Sequence, residues 1–409
     1  MAKKKREFKT DFPDIDKYID IKLFKEKAAI FFKDIPDPRV KDNCTYSLTE
    51  LIIIILMAVF SGANTIQDIY SYANYKHALL QEVFGPKFGP ASYSTFWWIL
   101  TRMNPQAFAK TFYEWAQTGP IDSLEGQQIN FDGKSMRGAF NRKGNCNIHI
   151  VHAWAHESGL LIGQQKTEEK SNEITAIPLL LQQLDIRGTV ISIDAAGCQK
   201  NIVKDIVDGG GDYLLAVKDN QPKLYEEITH LFEVAHEEDN FEYVNNCDRY
   251  EGIEKKSGRI VRQKVVIIGE TSDLSTASEW KNLQTLVEVT NETTTVKGKK
   301  VTVEKRYYIS SLIESAQKFG SRVKGHWSVE SMHWTLDVTF KEDASKANIL
   351  HAAVNLGTVR RACINIMNSD PELKAIGMAE LRRKCCWVES SNVIRKIIDV
   401  FLKPPIKSF

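Results

Sequence analysis

Three acidic residues carry the chemistry this chain could perform: Asp132 in "INFDGKSMRG", Asp194 closing "VISID", and Glu330 in "HWSVESMHW". An ionised carboxylate with apolar flanks, as at Asp132, is costly to bury without a partner. Either it lies at a turn with its charge in water, or a cation balances it. Asp132 falls in a strand-like stretch, and Asp194 ends an apolar strand expected beside it. At helical spacing His326, Glu330, His333, Trp334 and Asp337 share or border one face. A helix turned wholly to water would not need Trp327 and Trp334, so this face is expected to pack at the sheet edge and present Glu330 inward. Two aspartates on adjacent strands plus a glutamate from a packed helix suit paired Mg²⁺ ions, which take oxygen ligands and keep several waters. Two such ions about 3.5–4 Å apart clamp the attacking and leaving oxygens of an in-line phosphoryl transfer. Each acid alone is weak evidence, because a strand-end Asp is usually a turn or a cap.

The elements that must position these acids follow from periodicity. Residues 20 to about 120 read as helical. "SLTE" gives a capping box at Ser47 and Glu50 ahead of the apolar run "LIIIILMAVF". A Gly/Pro break, a start at Ser94/Thr95 and a short aromatic helix follow. That sequence allows a helix-turn-helix that enters a DNA groove, or a helical bundle with Phe96, Trp97 and Trp98 in its core. Large aromatics are poor base readers, which favours the bundle. From Ile129 the order is three strands, helix, strand, helix, strand: "QINFDGKS", a hairpin of "NIHIVHAWAH" and "LLIGQQKT", the helix "EITAIPLLLQQLDI", "GTVISIDAAG", the helix "CQKNIVKDIVDGG", then "DYLLAVKDNQ". This is a mixed sheet with helices on its faces. Residues 240–311 read as β-rich, with three strands and a "VKGK" turn, and the chain then continues as one long helical segment. The expected division is a basic tail (1–19), a helical N-terminal domain with possible DNA binding (20–122), the first part of an α/β catalytic core (123–239), the β-rich insertion (240–311), and the final catalytic helix with C-terminal helices (312–409).

Bulk properties narrow the class. The chain has 409 residues, 43% hydrophobic and 26% charged, as in ordinary globular proteins. Its longest apolar run is too short to cross a bilayer, and no apolar segment follows the basic start as a signal peptide would require. Seven scattered cysteines suggest reduced thiols in the cytosol. A net charge of +2 does not announce a polyanion partner, but basic residues cluster at Lys3–Lys9, Lys255–Lys264 and Lys297–Arg306. Such local clusters bind phosphate or are simply solvated surface.

Other candidates weigh less. Cys146, His149, His152 and His156 invite a zinc reading, yet strand alternation turns His149 away from His152 and His156. His152 reads as a packed or solvated histidine. Lys134 and Arg137, just after the first aspartate, suit phosphate contact or a solvated turn equally. Asp337, Glu342 and Asp343 are spare acids near Glu330, with Asp337 the best substitute ligand.

The blocks "FDGKSMRG", "KSNEITAIP", "SIDAAGCQ", "DNQP" and "HWSVESMHWTLDVTFKEDAS", in this order, resemble bacterial insertion-sequence transposases of the DDE class, closest to the branch that includes the H-repeat-associated proteins. The similarity spans essentially the whole chain. It implies a ribonuclease-H-like core with a β-rich insertion before the last catalytic helix. It also implies catalytic, metal-binding roles for Asp132, Asp194 and Glu330, two Mg²⁺ ions (Mn²⁺ substituting), cleavage of DNA at element ends, and attack of the freed 3′-hydroxyl on target DNA. The partners implied are DNA and further copies of this chain, as a homodimer or larger, in the bacterial cytoplasm at the nucleoid. Relatives often carry Arg four residues before the glutamate and Lys seven after it. Here His326 and Asp337 hold those places, so DNA contact around the glutamate is expected of Arg322, Lys324 and His326, joined by Lys134 and Arg137.

Two other functions compete: a non-catalytic DNA-binding remnant of a transposable element, and a two-metal DNA nuclease without strand transfer. Retention of all three acids argues against the first. Only the reaction product separates the second.

Overall fold

The computed structural model describes residues 21–40, 44–85, 89–118, 123–141, 146–167, 173–237, 247–256, 258–269, 271–295 and 301–387, with 396, 397 and 400. The basic start and the "VKGK" turn lie outside the described residues. The elements run α1 (Ile21–Phe31), α2 (Leu48–Phe60), α3 (Ile66–Tyr75), α4 (His77–Phe84), α5 (Tyr93–Arg102), α6 (Pro105–Thr118), β1 (Gln128–Asn141), β2 (Cys146–Ala155), β3 (Leu160–Lys166) and α7 (Glu173–Leu181). They continue with β4 (Val190–Ile193), α8 (Lys200–Asp208), β5 (Asp212–Val217), α9 (Pro222–Glu237), β6 (Cys247–Lys256), β7 (Arg259–Ile268), β8 (Thr285–Thr295), β9 (Val301–Ser310), α10 (Ala316–His326) and α11 (Ser328–Trp334). Helices α12 (Ala352–Asn368), α13 (Pro371–Ile376) and α14 (Met378–Trp387) follow. Two compact units result: one from Ser123 to Trp334, and one formed by the residues before and after it.

One nine-stranded sheet in the order β3-β2-β1-β4-β5-β9-β8-β7-β6 forms the first of these units. Strands β1, β2 and β3 pair antiparallel, while β1–β4 and β4–β5 are parallel. The parallel pairs require crossovers, and α7 and α8 supply the helices for them. Three antiparallel strands followed by two parallel ones, with crossover helices, make the ribonuclease-H-like core that the sequence leads one to expect.

The β-rich segment differs from expectation in two ways. It holds four strands rather than three, and it is continuous with the core sheet because β9 pairs antiparallel with β5. The missed strand, β6, reads "CDRYEGIEKK" and pairs only with β7 at the sheet edge. An exposed edge needs no apolar alternation and is commonly charged, so the period-2 signal is missing. Arg262 of β7 pairs with Glu251 of β6 at 2.6 Å, and Lys264 of β7 with Glu292 of β8 at 2.7 Å, so the basic cluster there is partly neutralised.

Helix α10 is the packing element that matters for the site. Ser315 caps its start, accepting from the Lys318 amide. Its face of Ala316, Phe319 and Val323 lies on Val265, Ile267, Val287, Val289 and Leu214 of the sheet. Burying a side chain such as Phe319 stabilises by about 1.5–3 kcal/mol. The expected single long helix is broken at Trp327, whose amide donates to Lys324 O in a tighter turn before α11 begins.

In the other unit, Ser47 and Glu50 form the expected capping box, and α2 buries its whole apolar run. Helix α5 starts slightly earlier than the expected Ser94/Thr95, capped by Ser92. Phe96 is buried, but Trp98 is exposed under the Arg102 guanidinium, 4.0 Å from the ring centroid, and is not a core residue. On α12, buried Arg361 donates to Glu342 at 2.8 and 3.2 Å. Glu342 is therefore not a spare metal ligand, because a buried guanidinium already holds it. Among the described residues no helix is long and apolar enough to cross a membrane.

Candidate active site

The parallel strands end where the chemistry begins. Phe131 of β1 is level with Ile193 of β4, which is level with Leu215 of β5. Asp132 and Asp194 therefore follow the last paired positions of neighbouring parallel strands, the usual place for a site in such sheets. Asp132 stays within β1, opposite His152 of β2, and is not at a turn. At Asp194 the chain leaves the sheet, and Oδ1 accepts from the Ala196 amide at 3.0 Å, capping a single 3-10 turn.

Glu330 arrives from the far end of the chain on α11, and polar ties fix where α10 hands over to α11. Asn130 Nδ2 donates to Gly325 O at 2.8 Å, and Gln128 Nε2 donates to Arg322 O at 3.0 Å. The Ser328 hydroxyl accepts from Trp154 Nε1 at 3.1 Å and lies 2.9 Å from His156 Nδ1. Ser192 Oγ lies 3.0 Å from His326 Nδ1. Gly325 permits the close approach, since a Cβ there would stand 3.1 Å from the His156 ring. Contrary to expectation, Trp327 and Trp334 are exposed, at 40% and 61%. Val329, Met332 and Leu336 supply the buried face instead.

Asp132, Asp194 and Glu330 line one cleft of about 410 Å³, with Ser192, His326 and Trp327 beside them. Asp194 is exposed at the cleft, yet partial loss of water raises its carboxyl, and the charges of Glu173 and then Asp132 push it further. Glu330 is raised likewise, first by loss of water and then by Asp132, with Arg306 and His333 opposing. Asp132 thus repels both Asp194 and Glu330 within reach of a common space. As they stand, no three His, Cys, Asp or Glu side chains among the described residues form a ready metal cage. Mg²⁺ does not need one: one or two carboxylates, waters and a substrate phosphate suffice. Hard oxygen donors gathered on one cleft, two of them with carboxyls raised by a neighbouring acid, fit a divalent cation.

The histidines flank this cluster on both faces of the sheet. His152, fully buried, places Nδ1 3.0 Å from His333 Nε2, and His333 Nδ1 lies 3.3 Å from Asp132 Oδ2. On the opposite face His149 sits between Ser135 Oγ at 2.9 Å and Glu173 Oε1 at 2.5 Å. That split runs against a shared zinc site for His149, His152 and His156.

The expected DNA-contacting cations are dispersed. Lys134 is buried within β1, which removes the solvated-turn reading, and Arg137 is exposed further along the strand. Arg322 is held by Glu314 through bonds of 2.6 and 2.7 Å, and Lys324 stands 3.5 Å from Glu254. Only His326 of that set lines the cleft. Burial pushes its pKa down, against the charge of Asp132, and so disfavours its charged form. Lys218, Lys305 and Arg306 line the cleft instead. The last two belong to a basic cluster visible in the sequence, but nothing local to it marked them out. Glu173 was also missed, although it stands inside the block "KSNEITAIP".

A family model for the transposase DDE domain matches residues 124–366, and one described as DDE_Tnp_1-associated matches residues 29–116. This chain belongs to the DDE transposase family. Among the relatives of this transposase, the "H repeat-associated putative transposase YhhI" of Escherichia coli (strain K12) is 34% identical over 371 residues, 90% of this chain and 94% of that protein. The "Putative transposase YncI" of Escherichia coli O157:H7 is 34% identical over 363 residues, 87% of this chain and 91% of that protein. A piggyBac transposase, solved as a synaptic complex with hairpin DNA, overlaps the transposase with a TM-score of 0.43 at 12% identity, covering 92% of this chain and 78% of that chain.

Proposed function

We propose that this chain is a Mg²⁺-dependent transposase that cleaves DNA at the ends of its element and joins the freed ends to target DNA. The observation that carries this reading is that Asp132, Asp194 and Glu330, from three elements far apart in the chain, line one cleft. These residues would hold two Mg²⁺ ions, with Mn²⁺ able to substitute. Bound there, the ions would supply positive charge to the attacking and leaving oxygens of an in-line displacement. Asp132 is held through His333, Asp194 by the Ala196 amide, and Glu330 by the anchored end of α10. Trp154, His156 and Asn130 converge on Ser328, which fixes the first turn of α11 and hence Glu330.

Two displacements follow on this reading. A water oxygen attacks the phosphorus at the element end, and the P–O3′ bond breaks to leave a 3′-hydroxyl and a 5′-phosphate. That 3′-hydroxyl then loses its proton, forms a new P–O bond with a target phosphate and expels the target's own 3′ oxygen. The partners are DNA and a second copy of the chain that pairs the two ends, with action at the bacterial nucleoid.

The test uses duplexes from the DNA flanking the reading frame. With Mg²⁺ or Mn²⁺ the protein should nick them at the element ends, and Asp132→Asn should abolish nicking while DNA binding persists. Absence of nicking under conditions where binding is demonstrated would contradict the reading. Cleavage without joined products would reduce it to a nuclease.

A further inference from the structure

The cleft carries cations as well as acids, and they are not equally available. Lys305 Nζ lies 2.9 Å from Glu288, a buried acid that His236 also approaches at 2.8 Å. Lys305 is thus committed to neutralising a buried charge. Arg306 is placed differently. It sits on β9 opposite Val289 of β8, just beyond Tyr307, which is level with the last residue of β5. That puts it at the strand ends from which Asp132 and Asp194 emerge. Its guanidinium lies over the ring of Trp327, 4.7 Å from the centroid, and Trp327 is itself exposed at the cleft. Its ion pair is with Glu304, at 2.7 Å, two residues away on the same strand and half exposed. It is also close enough to Glu330 to oppose the rise in that carboxyl's pKa.

An ion pair between near neighbours whose acid is half exposed contributes little, about 0–1 kcal/mol, so a stronger anion can displace that acid. Stacking on an aromatic face orients the planar guanidinium, and the edge that now gives Nε and Nη2 to Glu304 can instead make two parallel bonds to phosphate oxygens. Arg306 and Trp327 line the same cleft as the three acids, so a strand bound at the acids lies beside this edge, and His326 has its Nδ1 committed to Ser192.

We propose that Arg306 is a phosphate-binding residue of the cleft, gripping a backbone phosphate of the bound strand in exchange for Glu304, and that Trp327 positions it. The proposal deepens the function proposed above and holds only if the cleft takes DNA.

The test measures binding of an element-end duplex across a salt series, with nicking in Mg²⁺ measured in parallel. Arg306→Ala should weaken binding about 10–100-fold, the loss expected for a charge-assisted contact, and make the slope of log K against log salt shallower by about 0.9. Arg306→Lys should restore the slope and only part of the affinity. Weaker binding with an unchanged slope would mean a structural role and would overturn the proposal, as would no change at all. Glu304→Gln, at a half-exposed site, guards against misfolding of the first variant. It should tighten binding about 2–5-fold in the natural background and have no effect beside Arg306→Ala. An equal effect in both backgrounds would overturn the exchange. Nicking by the natural protein with Arg306→Ala indistinguishable from it sinks only the role of Arg306. A flattened slope without any nicking sinks only the catalytic reading.

Discussion

His333 joins Asp132 to a buried histidine: its Nδ1 lies 3.3 Å from Asp132 Oδ2, and its Nε2 lies 3.0 Å from Nδ1 of His152. These three residues come from two strands and a helix separated by some 180 positions, since His152 and His333 are 181 residues apart. The contact holds one carboxylate oxygen, while the other, Oδ1, accepts from the Gly133 amide at 2.9 Å.

Partners that orient a metal-binding carboxylate typically matter by about 10–100-fold in metal affinity or activity. His333→Ala should therefore slow single-turnover nicking by about that factor and raise the Mg²⁺ concentration needed for half-maximal rate. DNA affinity should stay the same. A Mg²⁺ titration of the single-turnover rate checks this. An unchanged half-maximal concentration would confine His333 to packing.

Gly133 is the position directly behind Asp132. A Cβ there would land 2.5 Å from His149 Nε2 and closer still to Glu173 Oε1. His149 is buried and cannot yield, so Glu173 must be pushed off its bond. Gly133→Ala should cost about 1–3 kcal/mol, the usual range for overpacking, measured by urea unfolding. Pairing it with Glu173→Ala should recover part of that loss.

Arg322 was expected to contact DNA, and it spends its guanidinium on Glu314. The bond lowers the Glu314 carboxyl below its ordinary value of 4.5. A depressed folded pKa stabilises the fold above the unfolded value, and that stability is lost as pH falls through the lowered folded value. Arg322→Gln should therefore destabilise by about 1–3 kcal/mol near neutral pH. The difference from the natural protein should shrink below about pH 4. Unfolding curves at a series of pH values check the convergence.

The parts of this protein that were legible in the sequence are those with local signals. Ser47 and Glu50 announced α2 through capping chemistry, and the alternation and apolar runs of β2, β4 and β5 gave the order of the core. The three acids stood out because each interrupts an apolar or aromatic context. What stayed hidden was set by partners distant in sequence. Trp327 and Trp334 look like core residues by type, yet Val329 and Met332 take the buried face and Trp327 carries Arg306. β6 has no period because only one of its edges is paired. Arg306 and Lys305 sit side by side in a basic run, and only the sheet register shows that both reach the cleft.

The central claim is that Asp132, Asp194 and Glu330 together hold divalent ions. Anomalous scattering from crystals of the protein with an element-end duplex, soaked in Mn²⁺, tests it directly. Manganese peaks held among Asp132, Asp194 and Glu330 are expected. Manganese bound elsewhere, with the duplex in place and the three carboxylates bare, would contradict it.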